Sequence, residues 1–64
     1  MHERDIWRTA SVMIKRYGED APFQASLRGD ELMSKGDIAG RRIWTRVLAA
    51  INALASVEAN GMIQ

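Results

Sequence analysis

One stretch, Gly36 to Asn60, most constrains what this chain can fold into, because it holds the only sustained apolar stripe. Trp44, Val47, Leu48, Ile51, Leu54 and Ala55 recur there at the three- and four-residue steps of one helical face, with Gly40 and Ile43 at its margins. Asp37 is placed to cap the helix, its carboxylate accepting from first-turn amides and facing the positive end of the dipole. Gly36 just before it suits the end of a preceding helix, and Asn60-Gly61 is the predicted stop. The spacing predicts a helix over about residues 38–59, roughly 33 Å of rise.

Upstream, Met1 to Arg4 reads as a short polar lead that frays. Asp5 then caps a first predicted helix, about 5–17, carrying Ile6, Trp7, Ala10, Met13, Ile14 and Tyr17 on one face. Lys15 and Arg16 complement the dipole in its last turn, and Gly18 stops it. Glu19 to Pro22 is expected to form a tight connection, with Pro22 in the first turn of the next helix, where its missing N–H costs nothing.

The second predicted helix, about 22–35, is the least regular. Ala21, Ala25, Arg28, Gly29 and Leu32 fall on one side, and Phe23, Leu27, Asp30 and Ser34 lie nearly opposite. The side with small residues permits close backbone approach and is expected to face the core, which leaves Phe23 and Leu27 exposed. Short connections force neighbouring helices to run roughly antiparallel. The expected fold is all-α: one domain spanning 1–64, three helices up-down-up with a long C-terminal helix, the first parallel to the third. Trp7 and Trp44 should then meet in one cluster where those two helices begin.

Size sets the next limit. A chain of 64 residues buries only about 60% of its unfolded surface, so association with another chain is a standing expectation. Its 47% hydrophobic content argues for a packed core over disorder. Nine basic against eight acidic residues leave +1, too weak a bias to draw it to nucleic acid or a membrane surface. The chain has no cysteine, so neither disulfides nor thiolate chemistry are open to it. No run approaches 18 apolar residues and the start lacks a signal-peptide core, so a soluble, cytoplasmic protein is expected.

Catalytic chemistry finds no purchase. The single histidine, His2, lies in the fraying lead, whereas a catalytic or metal role needs fixed geometry. Asp30, Glu31 and Asp37 lack the regular spacing of a calcium loop. No Ser-His-Asp or Cys-His set can assemble, and Gly36 with Gly40 does not match a phosphate loop. No enzyme activity, cofactor or metal is expected.

Arg41, Arg42 and Arg46 cluster at the start of the third helix, where like charge opposes the dipole. The expected role is pairing with Asp30, Glu31 and Asp37; the alternative is contact with an anion or nucleic acid. A helix-turn-helix fails on alignment, since Lys35, Asp37 and Arg42 fall where that motif wants apolar residues. Ala49, Ala50 and Ala53 on the reverse of the third helix are either helix-forming filler or a smooth surface for a partner helix.

The motifs Asp5-Ile6-Trp7, Met13 to Gly18, Lys35-Gly36-Asp37, Gly40 to Trp44 and Ala49-Ala50-Ile51 together resemble a family of short all-helical bacterial proteins of unknown function. The likeness runs from Asp5 to about Leu54. It implies a bacterial, cytoplasmic helical protein and supplies no catalytic residues. In the second helix this chain has Leu27 and Gly29 where a polar residue and alanine would be expected.

The expected function is thus a non-catalytic interaction module that forms a homodimer or binds another helical protein. Phe23 and Leu27, with Leu54 and Val57 on an overhanging end of the third helix, are the candidate contact surface; Met62 and Ile63 lie just beyond. The alternative is a weak nucleic-acid-associated regulator using Arg41, Arg42 and Arg46.

Overall fold

The computed structural model describes the backbone of residues 3–63 and the side chains of residues 3–56. Among the described residues the chain is all-α, without strands. His2 and the side chains of Val57, Met62 and Ile63 lie outside the described residues.

The expected three separate helices are corrected to two helical runs. The first contains α1 (Glu3–Tyr17) and α2 (Ala21–Ser34), divided only by a single turn of 3-10 helix, Gly18–Asp20. The second is α3 (Ile38–Ile63). No extended connection separates α1 from α2: the Ala21 amide bonds back to the Gly18 carbonyl, and Gly18 bends the run through a left-handed φ of 58°. Pro22 sits in the first turn of α2, where the missing donor is harmless.

Local chemistry explains the ends. Asp5 is not the cap of α1; the helix begins two residues earlier, so Glu3 and Asp5 both lie in its first turn and face the dipole's positive end. The expected stop at Asn60-Gly61 is also corrected, since α3 continues to Ile63. Glycine permits a left-handed stop without imposing one.

The corner between α2 and α3 is the best-defined joint. Gly36, at φ 80°, donates to the Met33 carbonyl at 3.0 Å, and Asp37 donates to the Leu32 carbonyl at 2.9 Å. These are the two bonds of a Schellman cap. Asp37 then turns to the next helix: its Oδ1 accepts the Gly40 amide at 2.8 Å. One aspartate thus closes α2 with its backbone and opens α3 with its side chain.

From that corner α2 runs back antiparallel along α3. Gly29 lies against Arg41 and Trp44, and Leu32 against Gly40. Ala21, Ala25 and Gly29 are buried, so the small-residue side of α2 is the packed one, while Arg28 on the same side stays exposed.

The first helix takes a different course. Ile6 and Trp7 share a cleft with Arg46, Ala49, Ala50 and Ala53, and Ile14 shares one with Ile51 and Ala55. From Glu3 to Gly18 the cleft-lining residues of the first helical run advance fifteen positions, while their neighbours on α3 shift only from residues 46–53 to 51–55, so α1 lies over the middle of α3. Met13, not Trp7, reaches the cleft floored by Trp44. The expected Trp7–Trp44 cluster does not form.

The core where these helices meet is Ile6, Ala10, Ala21, Ala25, Val47, Ala50 and Ile51. Four of these seven are alanines, and the largest fully buried side chains are Ile51 and Val47. Met13, Ile14, Ile43, Trp44, Leu48 and Leu54 pack around it, half-buried.

Candidate functional site

An alanine-rich core leaves larger apolar side chains outside. Trp7, Val12, Tyr17, Phe23, Leu27, Met33 and Ile38 are all exposed, Phe23 at 62% and Trp7 at 40%. These exposed apolar side chains lie on α1, α2 and the first turn of α3.

Of the expected contact residues, Phe23 and Leu27 are exposed on α2 as the helical spacing requires. Leu54 instead packs on the core cluster, half-buried. Leu27 lines a cleft between α1 and α2 with Met13, Tyr17 and Gln24, floored by Trp44 and rimmed by Arg16, Arg28 and Glu31. The side chain of Val57, the fourth expected contact residue, lies outside the described residues.

A second cleft was missed as a site by sequence reasoning. Where α1 begins against the middle of α3, Ile6, Ala49, Ala50 and Ala53 form an apolar floor, Trp7 is one wall, and Glu3 and Arg46 stand at the rim. The alanines are a visible signal in the sequence; their company is not, because it depends on where α1 lies on α3.

The arginine cluster separates into different roles. Arg41 pairs with Asp30 at 3.7 Å and lays its stem along Gly29. Glu31 is held by Arg28 at 3.3 Å and Lys35 at 3.6 Å, both on its own helical run, and Asp37 is engaged as the α3 cap. The expected pairing of all three arginines with these acids is therefore corrected: it holds for Arg41 alone. Arg42 and Arg46 are exposed and form no ion pair among the described residues. Being four apart, they share one helical face, on which Ala49 and Ala53 continue.

Asp30, Glu31 and Asp37 are directed to separate partners, and among the described residues no group of acidic or histidine side chains is arranged to hold a metal ion. No described helix is long and apolar enough to cross a membrane. No protein-family model, curated protein or solved structure matches the chain.

Proposed function

We propose that this chain is a small, non-catalytic helical interaction module that works by covering its exposed apolar surface against another helical chain, a second copy being the simplest. The observation that carries this reading is the inversion of side-chain size between inside and outside. Alanine dominates the core while two aromatic residues of α1 and one of α2 face solvent. Burial contributes roughly 25 cal/mol per Å² of apolar surface, so the large side chains left outside are the larger unrealised source of stability. Two surfaces are available to a partner: Phe23 and Leu27 on α2, with Leu54 and Val57 following on α3 in the sequence-derived patch, and the Trp7 cleft.

The same proposal extends to origin and place: the motifs from Asp5 to Leu54 support kinship with short bacterial helical proteins acting in the cytoplasm. Three helical segments in an up-down-up order remain part of this reading only for α2 and α3, which the Gly36–Asp37 corner turns back on each other. Sedimentation velocity across the micromolar range tests the functional reading. A concentration-dependent dimer is expected; a monomer at hundreds of micromolar sinks self-association.

A second reading has one observation in its favour, Arg42 and Arg46 on a shared face and unpaired among the described residues. Two phosphate contacts would give a log–log salt slope near −2 (~0.9 per phosphate) and weak binding. Titration of a labelled duplex at low salt tests it, with loss of binding in Arg42→Ala/Arg46→Ala as the expected result if nucleic acid is the partner.

A further inference from the structure

We infer that the Trp7 cleft is the face on which a second copy of this chain packs, about a two-fold axis, with Glu3 of each copy beside Arg46 of the other. This rests on the self-association reading and assigns the contact to a face other than Phe23 and Leu27.

The first argument is charge. Glu3 and Arg46 line the same cleft of about 330 Å³, both are exposed, and neither has an ion-pair partner among the described residues. A face with one anion and one cation unpaired among the described residues is complementary to itself under two-fold rotation, since the Glu3–Arg46 contact then forms twice. The neighbouring cleft between α1 and α2 lacks this property: its rim has Arg16 and Arg28 against a Glu31 already held by Arg28 and Lys35.

The second argument is shape. Ala49 and Ala53 are exposed one turn apart on α3, so another helix can approach closely there, and Trp7 stands beside them 40% exposed. Trp7 of each copy can cover the alanine floor of the other, the aromatic anchor that such interfaces favour. A second copy thus supplies both the opposite charges and a cover for the exposed Trp7.

The test exchanges the charges in trans. Glu3→Arg and Arg46→Glu are made as separate chains, each replacing an exposed side chain, with far-UV circular dichroism to establish that both fold. Each variant alone sets two like-charge contacts across the axis and should dimerise about tenfold more weakly or worse than the parent. Mixed in equal amounts they should form a heterodimer of near-parental affinity, an outcome that rescue within one chain cannot mimic. As an independent readout, Ala53→Cys in a chain without native cysteine should give a covalent dimer with a short bismaleimide, whereas Phe23→Cys should not.

Single variants with parental affinity, or a mixture that fails to associate, overturn this face while the parent dimer keeps self-association standing. Loss of the dimer in Phe23→Glu, with the Glu3 and Arg46 variants unaffected, moves the contact to α2. A parent chain that is monomeric throughout removes both readings.

Discussion

The Gly40 amide donates to Oδ1 of Asp37 at 2.8 Å, and a methyl group built on Gly40 would meet the other oxygen of that carboxylate at 2.6 Å. The glycine is small because its neighbour is a cap. It is also a poor helix former, and the two facts oppose each other in any substitution. Gly40→Ala gains up to about 1 kcal/mol of helix propensity but displaces a cap worth about 1 kcal/mol and presses on Leu32 Cδ1 at 3.0 Å. We expect no net gain, or a loss of up to about 1 kcal/mol. With Asp37→Ala already in place only Leu32 Cδ1, the end of a flexible side chain, has to give way, and the same change should stabilise by up to about 1 kcal/mol. Urea melts of the four chains in this cycle decide it; equal stabilisation in both backgrounds would show that the cap and the glycine are independent.

Gly29 and Gly36 should respond to alanine with opposite signs. At Gly29 a methyl would find Arg41 Cδ at 3.4 Å and Trp44 Cβ at 3.6 Å, ordinary contact distances inside a helix. Gly29→Ala should raise stability by about 0.5–1 kcal/mol, near 4–8 °C in Tm per kcal/mol for a domain of this size. At Gly36 there is open space but a φ of 80°, so Gly36→Ala should cost roughly 1–2 kcal/mol, and Gly36→Asn less. Thermal melts giving both alanine variants the same sign would contradict the assignment of one to packing and the other to backbone.

These joints mark how far the sequence could be read. The Gly36–Asp37 corner was legible because its chemistry is local: one left-handed glycine, one capping carboxylate, adjacent in the chain. The buried side of α2 was legible from periodicity, since Ala21, Ala25 and Gly29 are each four residues apart. The position of α1 on α3 was not, because it depends on the left-handed φ at Gly18 and on a tight connection that proves to be a helical turn running straight into α2. The company of Trp7 and the cleft it borders follow from that position. The arginines failed for another reason. Their sequence neighbourhood is rich in acids, but Glu31 finds Arg28 and Lys35 at helical spacing before any arginine of α3 can reach it.

Ile51 should be the most costly side chain to truncate. It is 1% exposed, at the point where α1 and α2 both meet α3, and Ile→Ala in a core costs ~2–5 kcal/mol. A domain of 64 residues holds only about 3–10 kcal/mol in total. Ile51→Ala is therefore expected to be largely unfolded at 37 °C, while Phe23→Ala, measured where the chain is monomeric, should stay within about 0.5 kcal/mol of the parent. Circular dichroism melts of the two variants test the placement of the core; similar losses would contradict it.

The two tryptophans should report the Trp7 cleft directly. Trp44 is half-buried against the core, over which Gly29 of α2 lies, whereas Trp7 is 40% exposed beside Ala49 and Ala53. Trp7→Phe leaves only Trp44 and Trp44→Phe leaves only Trp7, because the chain has no other tryptophan. In dilute solution Trp7 should emit further to the red and be quenched efficiently by acrylamide, and Trp44 should be bluer and protected. Raising the concentration through the association range should protect Trp7 and leave Trp44 unchanged, since only Trp7 stands where the second copy arrives. Quenching of Trp7 that stays constant while sedimentation reports a dimer would place the contact elsewhere. Protection of both residues together would mean that the helices rearrange on association, so that the crossing of α1 over α3 is itself a property of the unpartnered chain.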